Sequence, residues 1–138
     1  MLFKRKSGRA PEPEPESVGV GPAGERLAVN YLSSKGLKKV ETNFRTKFGE
    51  IDLVCLDGDV VVFVEVKTRR SRQFGSPVEA VSLEKQRRLS MAASIFLSRR
   101  AWEGRRARFD VLGIGLFGEQ VEIEHIPDAF DRVWPSSD

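Results

Sequence analysis

Residues 49–67 read GEIDLVCLDGDVVVFVEVK, and the reading of this stretch decides the fold. Runs of β-branched and apolar residues flank Asp57-Gly58-Asp59, a turn signal, so the stretch reads as two antiparallel strands joined by a tight hairpin. Its two-residue loop falls at Asp57-Gly58 or at Gly58-Asp59. Strand side chains alternate with period two, and the numbers of antiparallel partners sum to a constant. With Gly58-Asp59 as the loop, Asp52 lies opposite Glu65 and Glu50 opposite Lys67. With Asp57-Gly58 as the loop, Asp52 lies diagonal to Glu65 on the same side. Either way one face carries Glu50, Asp52, Glu65 and Lys67, gathered at the end far from the turn. The other carries Ile51, Leu53, Cys55, Val62, Val64 and Val66, which is wholly apolar and must pack on something.

Charges set into VVVFVEVK are costly, because an unpaired carboxylate taken from water costs several kcal/mol or takes up a proton. Lys67, two residues along the same face, gives partial relief. A divalent metal ion held between Asp52 and Glu65 gives more. An ordinary cross-strand ion pair is the simpler alternative, but an Asp, a hairpin and then E-x-K at the end of a buried strand is a more specific arrangement than a chance E-x-K.

Outward from the hairpin, 138 residues at 40% hydrophobic and 31% charged indicate one globular domain over 21–131, with tails at 1–20 and 132–138. The first tail holds the PEPEPE repeat and lacks apolar periodicity, which predicts disorder. One cysteine, Cys55, permits no intramolecular disulfide and suits a reducing compartment, where it serves as a small core hydrophobe. The basic start has no apolar segment behind it and no run is long enough to span a bilayer, so a cytoplasmic protein without membrane contact is expected.

The net charge of +3 conceals an asymmetry. From Lys67 to Arg108 there are twelve Lys or Arg against three acids, whereas from Phe109 to Asp138 there are seven acids against Arg132 alone. The basic block follows the E-x-K strand directly. A nucleic-acid backbone is the partner that such a block suits, with a merely solvated helix face as the alternative.

Pro22 suits a first helical turn, and Leu27, Ala28, Tyr31 and Leu32 recur at helical spacing until Gly36. Glu25 projects from the edge of that stripe, either as a site residue or as a first-turn acid favoured by the helix dipole. Residues 37–45 read as a first strand near a sheet edge. After Lys67 comes a loop with Arg69, Arg70 and Arg72 as candidate nucleic-acid contacts. A second helix spans Leu83 to about Arg100, with Ser82 as N-cap and Leu89, Ala92, Ala93 and Phe96 facing the sheet. Lys85 extends that stripe toward the charged end of the hairpin, where it could meet a phosphate. Residues 108–115 and 121–126 read as the fourth and fifth strands, and Pro127, Asp128 and Phe130 as the start of a last short turn or helix. His125, the one histidine, is read as structural or surface, which excludes a multi-histidine metal site. Strand, helix and strand in sequence favour a parallel crossover between strands three and four. The expected fold is α/β: a mixed five-stranded sheet in order 1-2-3-4-5 with helices over both faces.

A helix with Glu25, a strand with GEIDLV, a strand with VVVFVEVKTR, then a basic helix and a strand: this order resembles the PD-(D/E)xK nuclease superfamily. Within it the chain looks most like the small YraN-like proteins of bacteria, which are similar to archaeal Holliday-junction resolvases. The resemblance covers residues 21–130 and implies a restriction-endonuclease-like three-layer core binding Mg²⁺ or Mn²⁺. It assigns Asp52 and Glu65 as metal-binding acids, Lys67 as the motif lysine and Glu25 as the helix-one glutamate. The leading Pro of the motif is absent, with Ile51 in its place. What the resemblance implies is a metal-dependent endonuclease on nucleic acid, structured or branched DNA in particular. Symmetric cutting of a junction would need a homodimer.

The residues themselves suit phosphodiester hydrolysis, since two carboxylates holding a divalent cation offset charge on phosphate and lower the pKa of bound water. Lys67 would orient the water or stabilise the developing charge. The alternative from another class is a non-catalytic nucleic-acid-binding module with the same fold, in which the acidic cluster is structural.

Overall fold

A computed structural model describes residues 21–71 and 76–133. The PEPEPE tail and Arg72 lie outside the described residues. Helix α1 (Gly21–Ser34) leads into strands β1 (Lys38–Arg45), β2 (Glu50–Asp57) and β3 (Val60–Arg69). Helix α2 (Leu83–Arg100) then crosses to β4 (Ala107–Phe117), and β5 (Gln120–Phe130) completes the sheet. The five strands stand in the order β1-β2-β3-β4-β5. Only the β3–β4 pair is parallel, and it is the pair joined through α2.

The hairpin register follows from its turn. Asp57 pairs with Val60 and Leu53 with Val64, so the loop is Gly58-Asp59, and Gly58 takes the positive φ, 60°, that the tight turn requires. Alternation along β3 then sends Val62, Val64 and Val66 to one side, where they meet Ala28 and Leu32 of α1 together with Leu53, Cys55, Leu112 and Ile114. Val61 and Phe63 go to the other side, against Leu89, Ala92, Ala93 and Phe96 of α2. The sheet is thus covered by one helix on each face, and burial of both faces is why β3 is apolar at nearly every position.

Helix α2 begins where the sequence places it. Ser82 Oγ accepts the Lys85 backbone N–H at 3.1 Å, and Arg99 and Arg100 in the last turn suit the negative end of the helix dipole. In the segment before α2, the described part of the expected loop holds a 3₁₀ turn, Pro77–Ala80, whose start is closed by the Ser76 N–H donating to Glu79 Oε1 at 3.0 Å. Pro77 packs directly onto Gly113 of β4, a contact that leaves no room for a side chain there.

Two expectations are corrected. Ile51 does not share a face with Leu53 and Cys55; it packs on the α2 side with its cross-strand partner Phe44. The alternation breaks at Asp52, where Asn43, the β1 residue level with it, adopts a left-handed φ of 54° and no cross-strand pair forms between Thr42–Leu53 and Phe44–Ile51. Second, residues 127–130 continue β5 instead of starting a last short turn or helix. Proline is tolerated on this edge strand, and the turned backbone at Asp128 (φ 51°) gives its N–H to the Asp110 carboxylate at 2.9 Å. Past the last strand, the Val133 N–H donates to Ser90 Oγ at 2.8 Å and ties the chain to α2.

Candidate functional site

Asp52 sits where the hairpin strands part. The ladder between β2 and β3 runs from the turn to Leu53–Val64. One residue further, the Asp52 carboxylate itself accepts the Val66 N–H at 2.8 Å, taking the place of a backbone acceptor. Continuing the register puts Glu65 opposite Asp52, and the two carboxyl groups come within hydrogen-bonding reach of one another. Glu65 and Lys67 are both buried and share the α2 face with Phe63, as period two requires.

Burial is the first cause of the electrostatics here. It pushes Asp52 up from 3.8 to about 8, with the neighbouring Glu65 charge adding to the rise and the Val66 N–H and Lys85 opposing it. Glu65 is also raised by burial, opposed first by Lys85 and then by Lys67. Lys85 reaches in from the first turn of α2, with its Nζ 3.3 Å from Glu65 Oε2 and only 14% of its side chain exposed. The sequence placed Lys85 at this end of the hairpin but proposed a phosphate as its partner; within the protein its partner is Glu65.

The remaining candidates are distributed around this pair. Glu25 of α1 accepts a hydrogen bond from Asn43 Nδ2 at 3.3 Å, which brings it to the β1 residue level with Asp52. Among the described residues no three His, Cys, Asp or Glu side chains come together as a metal-holding group, so Glu25 stands beside the Asp52–Glu65 pair and not in it. Glu50 is held by Arg45 at 3.3 Å. Of the basic candidates, Arg70 is exposed, whereas Arg69 is turned inward and lines a cavity with Pro77, Gly113 and Glu122. Arg87, Arg99, Arg100, Arg105 and Arg106 are exposed, and Trp102 is flanked by Arg100 and Arg105 at 5.3 and 4.4 Å from its ring centre.

Does the pair fit a divalent cation? Two carboxyl groups in contact, each held toward its neutral form chiefly by burial, are short of positive charge when ionised. Mg²⁺ commonly takes one or two protein carboxylates and completes its shell with water and substrate phosphate, so Asp52 and Glu65 suit it.

A second buried acid was missed by the sequence reading. Asp110 of β4 lies on the α1 face, fully buried, and receives Arg108 Nε at 2.9 Å, His125 Nε2 at 2.8 Å and the Asp128 N–H. Arg108 also reaches Asp57 at 3.0 Å, so it is removed from the exposed basic surface. His125 has the structural role expected of it, with Tyr31 edge-on at 5.9 Å. The signal in the sequence was the charged pair inside RFDVLGIG, where period two puts Arg108 and Asp110 on one face of the strand; His125 and the Asp128 N–H could not be found by spacing. No helix among the described residues is long and apolar enough to cross a membrane.

Comparison with known proteins places this arrangement in a family. Residues 24–114 match the uncharacterised protein family UPF0102, a span holding Glu25, Asp52, Glu65, Lys67 and Lys85 but not His125. A UPF0102 protein of Rhodococcus jostii is 47% identical over 117 residues, covering 83% of this chain and 98% of the relative. One from Geobacter metallireducens is 48% identical over 115 residues, covering 83% of this chain and 94% of the relative. The chain belongs to the UPF0102 family.

Proposed function

We propose that this UPF0102 protein is a metal-dependent endonuclease of the PD-(D/E)xK type, hydrolysing phosphodiester bonds in structured or branched DNA. The observation that carries the reading is the Asp52–Glu65 carboxyl pair at the parted end of the hairpin, with Lys67 two residues along the same face. Asp52 and Glu65 would hold Mg²⁺ or Mn²⁺, which when bound supplies positive charge to the phosphate and a more acidic water. Lys67, buried two residues along the strand from Glu65, would bring a positive charge to the same face. In hydrolysis a water oxygen bonds to phosphorus as the bond to the leaving sugar oxygen breaks, and negative charge builds on the phosphate oxygens. A positioned lysine stabilises that charge more in the transition state than in the ground state.

Basic side chains support a nucleic-acid partner, because Arg70, Arg87, Arg99, Arg105 and Arg106 are exposed and offer point charges to a backbone. A non-catalytic binding module is the second reading. It is favoured by the Lys85–Glu65 ion pair, which compensates part of the acidic cluster without any metal. The test is incubation of the purified full chain with single-stranded, duplex and four-way-junction DNA in Mg²⁺, Mn²⁺ or EDTA. Cleavage with metal and none in EDTA is expected. Binding that weakens with salt but never leads to cleavage with either metal would replace the enzyme by the module.

A further inference from the structure

Lys85 belongs neither to the E-x-K strand nor to the exposed basic surface. It comes from α2, and its ammonium lies 3.3 Å from Glu65 Oε2 at a contact where the two side chains are only 14% and 7% exposed. Its backbone is fixed by the cap bond to Ser82, so any change of partner falls to the flexible four-carbon stem. We propose that Lys85 is the internal counter-cation of the Asp52–Glu65 pair, occupying the role of a divalent cation in the metal-free protein and giving it up when one binds.

The inference rests on the reading of this pair as a metal site. A cation shared by the two carboxylates would stand close to the Lys85 ammonium, and like charges in a poorly hydrated site repel strongly. Lys85 would then leave Glu65 for the neighbouring solvent, at the site where a bound phosphate would lie. The phosphate-contacting lysine expected from the sequence and the carboxylate-bound lysine of the structure become two states of one side chain. The loaded protein thereby acquires a free positive charge for substrate that the empty protein lacks.

The test compares the full-length parent with Lys85→Met, Lys85→Arg, Glu65→Gln and the double variant Lys85→Met/Glu65→Gln. Thermal midpoints are taken with and without Mn²⁺, and Mn²⁺ affinity by calorimetry. Without metal, Lys85→Met should lower the midpoint in the parent and change it much less beside Glu65→Gln. Saturating Mn²⁺ should raise the Lys85→Met midpoint by more degrees than that of the parent, with affinity tighter by about tenfold, the order expected when one competing charged hydrogen bond is removed. Lys85→Arg, which keeps the charge, should behave as the parent does. Equal Mn²⁺ responses in parent and Lys85→Met would overturn the exchange while leaving the metal site standing. No Mn²⁺ binding by any of the proteins would overturn the metal site and the exchange together. Should Lys85→Met fail to fold unaided, refolding in Mn²⁺ decides: recovery supports the exchange and continued failure overturns it.

Discussion

The two faces of the sheet each bury acid, and they handle it in opposite ways. On the α1 face Asp110 is fully buried yet amply satisfied, by the Arg108 guanidinium, His125 and the Asp128 N–H. On the α2 face Asp52 and Glu65 lie against each other, with the Val66 N–H and the Lys85 ammonium among their few compensating partners, and both are shifted toward their neutral forms. The first arrangement closes on itself and has nothing left to offer a ligand. The second keeps a deficit of positive charge, which is a reservoir for binding a cation or shaping a reaction.

The largest effect expected from breaking this contrast is at Asp110. Asp110→Ala leaves the partly buried Arg108 without its closest partner, and loss of one member of a buried ion pair costs about 3–5 kcal/mol. Urea unfolding should show that loss, while the Mn²⁺ affinity of the folded fraction stays near that of the parent. A mild effect at Asp110 together with a severe one at Asp52 would invert the comparison.

Next in size is Lys67→Ala, which should lower the single-turnover cleavage rate by about 10² to 10³, as loss of one positioned electrostatic donor commonly does. DNA affinity measured in Ca²⁺ should change little. His125→Ala, on the other face, should cost stability and leave the cleavage rate intact, since His125 meets Asp110 and Tyr31 on the α1 side of the sheet, away from the Asp52–Glu65 pair. Parallel loss of binding and cleavage in Lys67→Ala would make that lysine a phosphate anchor.

The smallest effect sharpens the comparison through pH. Asp52 titrates near 3.8 when unfolded and about 8 when folded, so between those values the folded state binds more protons than the unfolded one. Stability of the metal-free protein should therefore fall as pH rises from about 4 to about 8. Asp52→Asn should flatten that slope and gain on the order of 2 kcal/mol at the upper end, after allowance for partial hydration of the site. Chemical denaturation across this range would settle it: a slope kept unchanged in Asp52→Asn means that the deficit lies elsewhere.

Much of the candidate site was legible because it is local. Asp57-Gly58-Asp59 identifies the turn, either two-residue loop there puts Asp52, Glu65 and Lys67 on one face, and the structure selects Gly58-Asp59, with Asp52 level with Glu65. The Ser82 cap and the Leu89–Phe96 stripe placed α2 for the same kind of reason, since caps and helical periodicity act within a few residues. Ile51 departs from the expected face because the alternation ends at Asp52, level with the left-handed Asn43 of the neighbouring strand. An asparagine can take that conformation or decline it, and nothing adjacent in the chain announces which.

Period, turn chemistry and chain connectivity thus specify the two main helices, the five strands, the sheet order and the acids that share the charged end of the hairpin, and leave two hairpin registers open. Which cation reaches Glu65, and that His125 reaches Asp110, follow from the packed arrangement of helix and sheet. Lys85 meets Glu65 and His125 meets Asp110 because α2 and β5 bring those groups to opposite faces of one sheet, while Arg108 joins Asp110 from two residues along the same strand. The Lys85 and His125 pairings join separate elements of the chain. They depend on how helix and sheet dock and on the cost of leaving a buried charge unanswered, a cost that arises only once packing has removed the water.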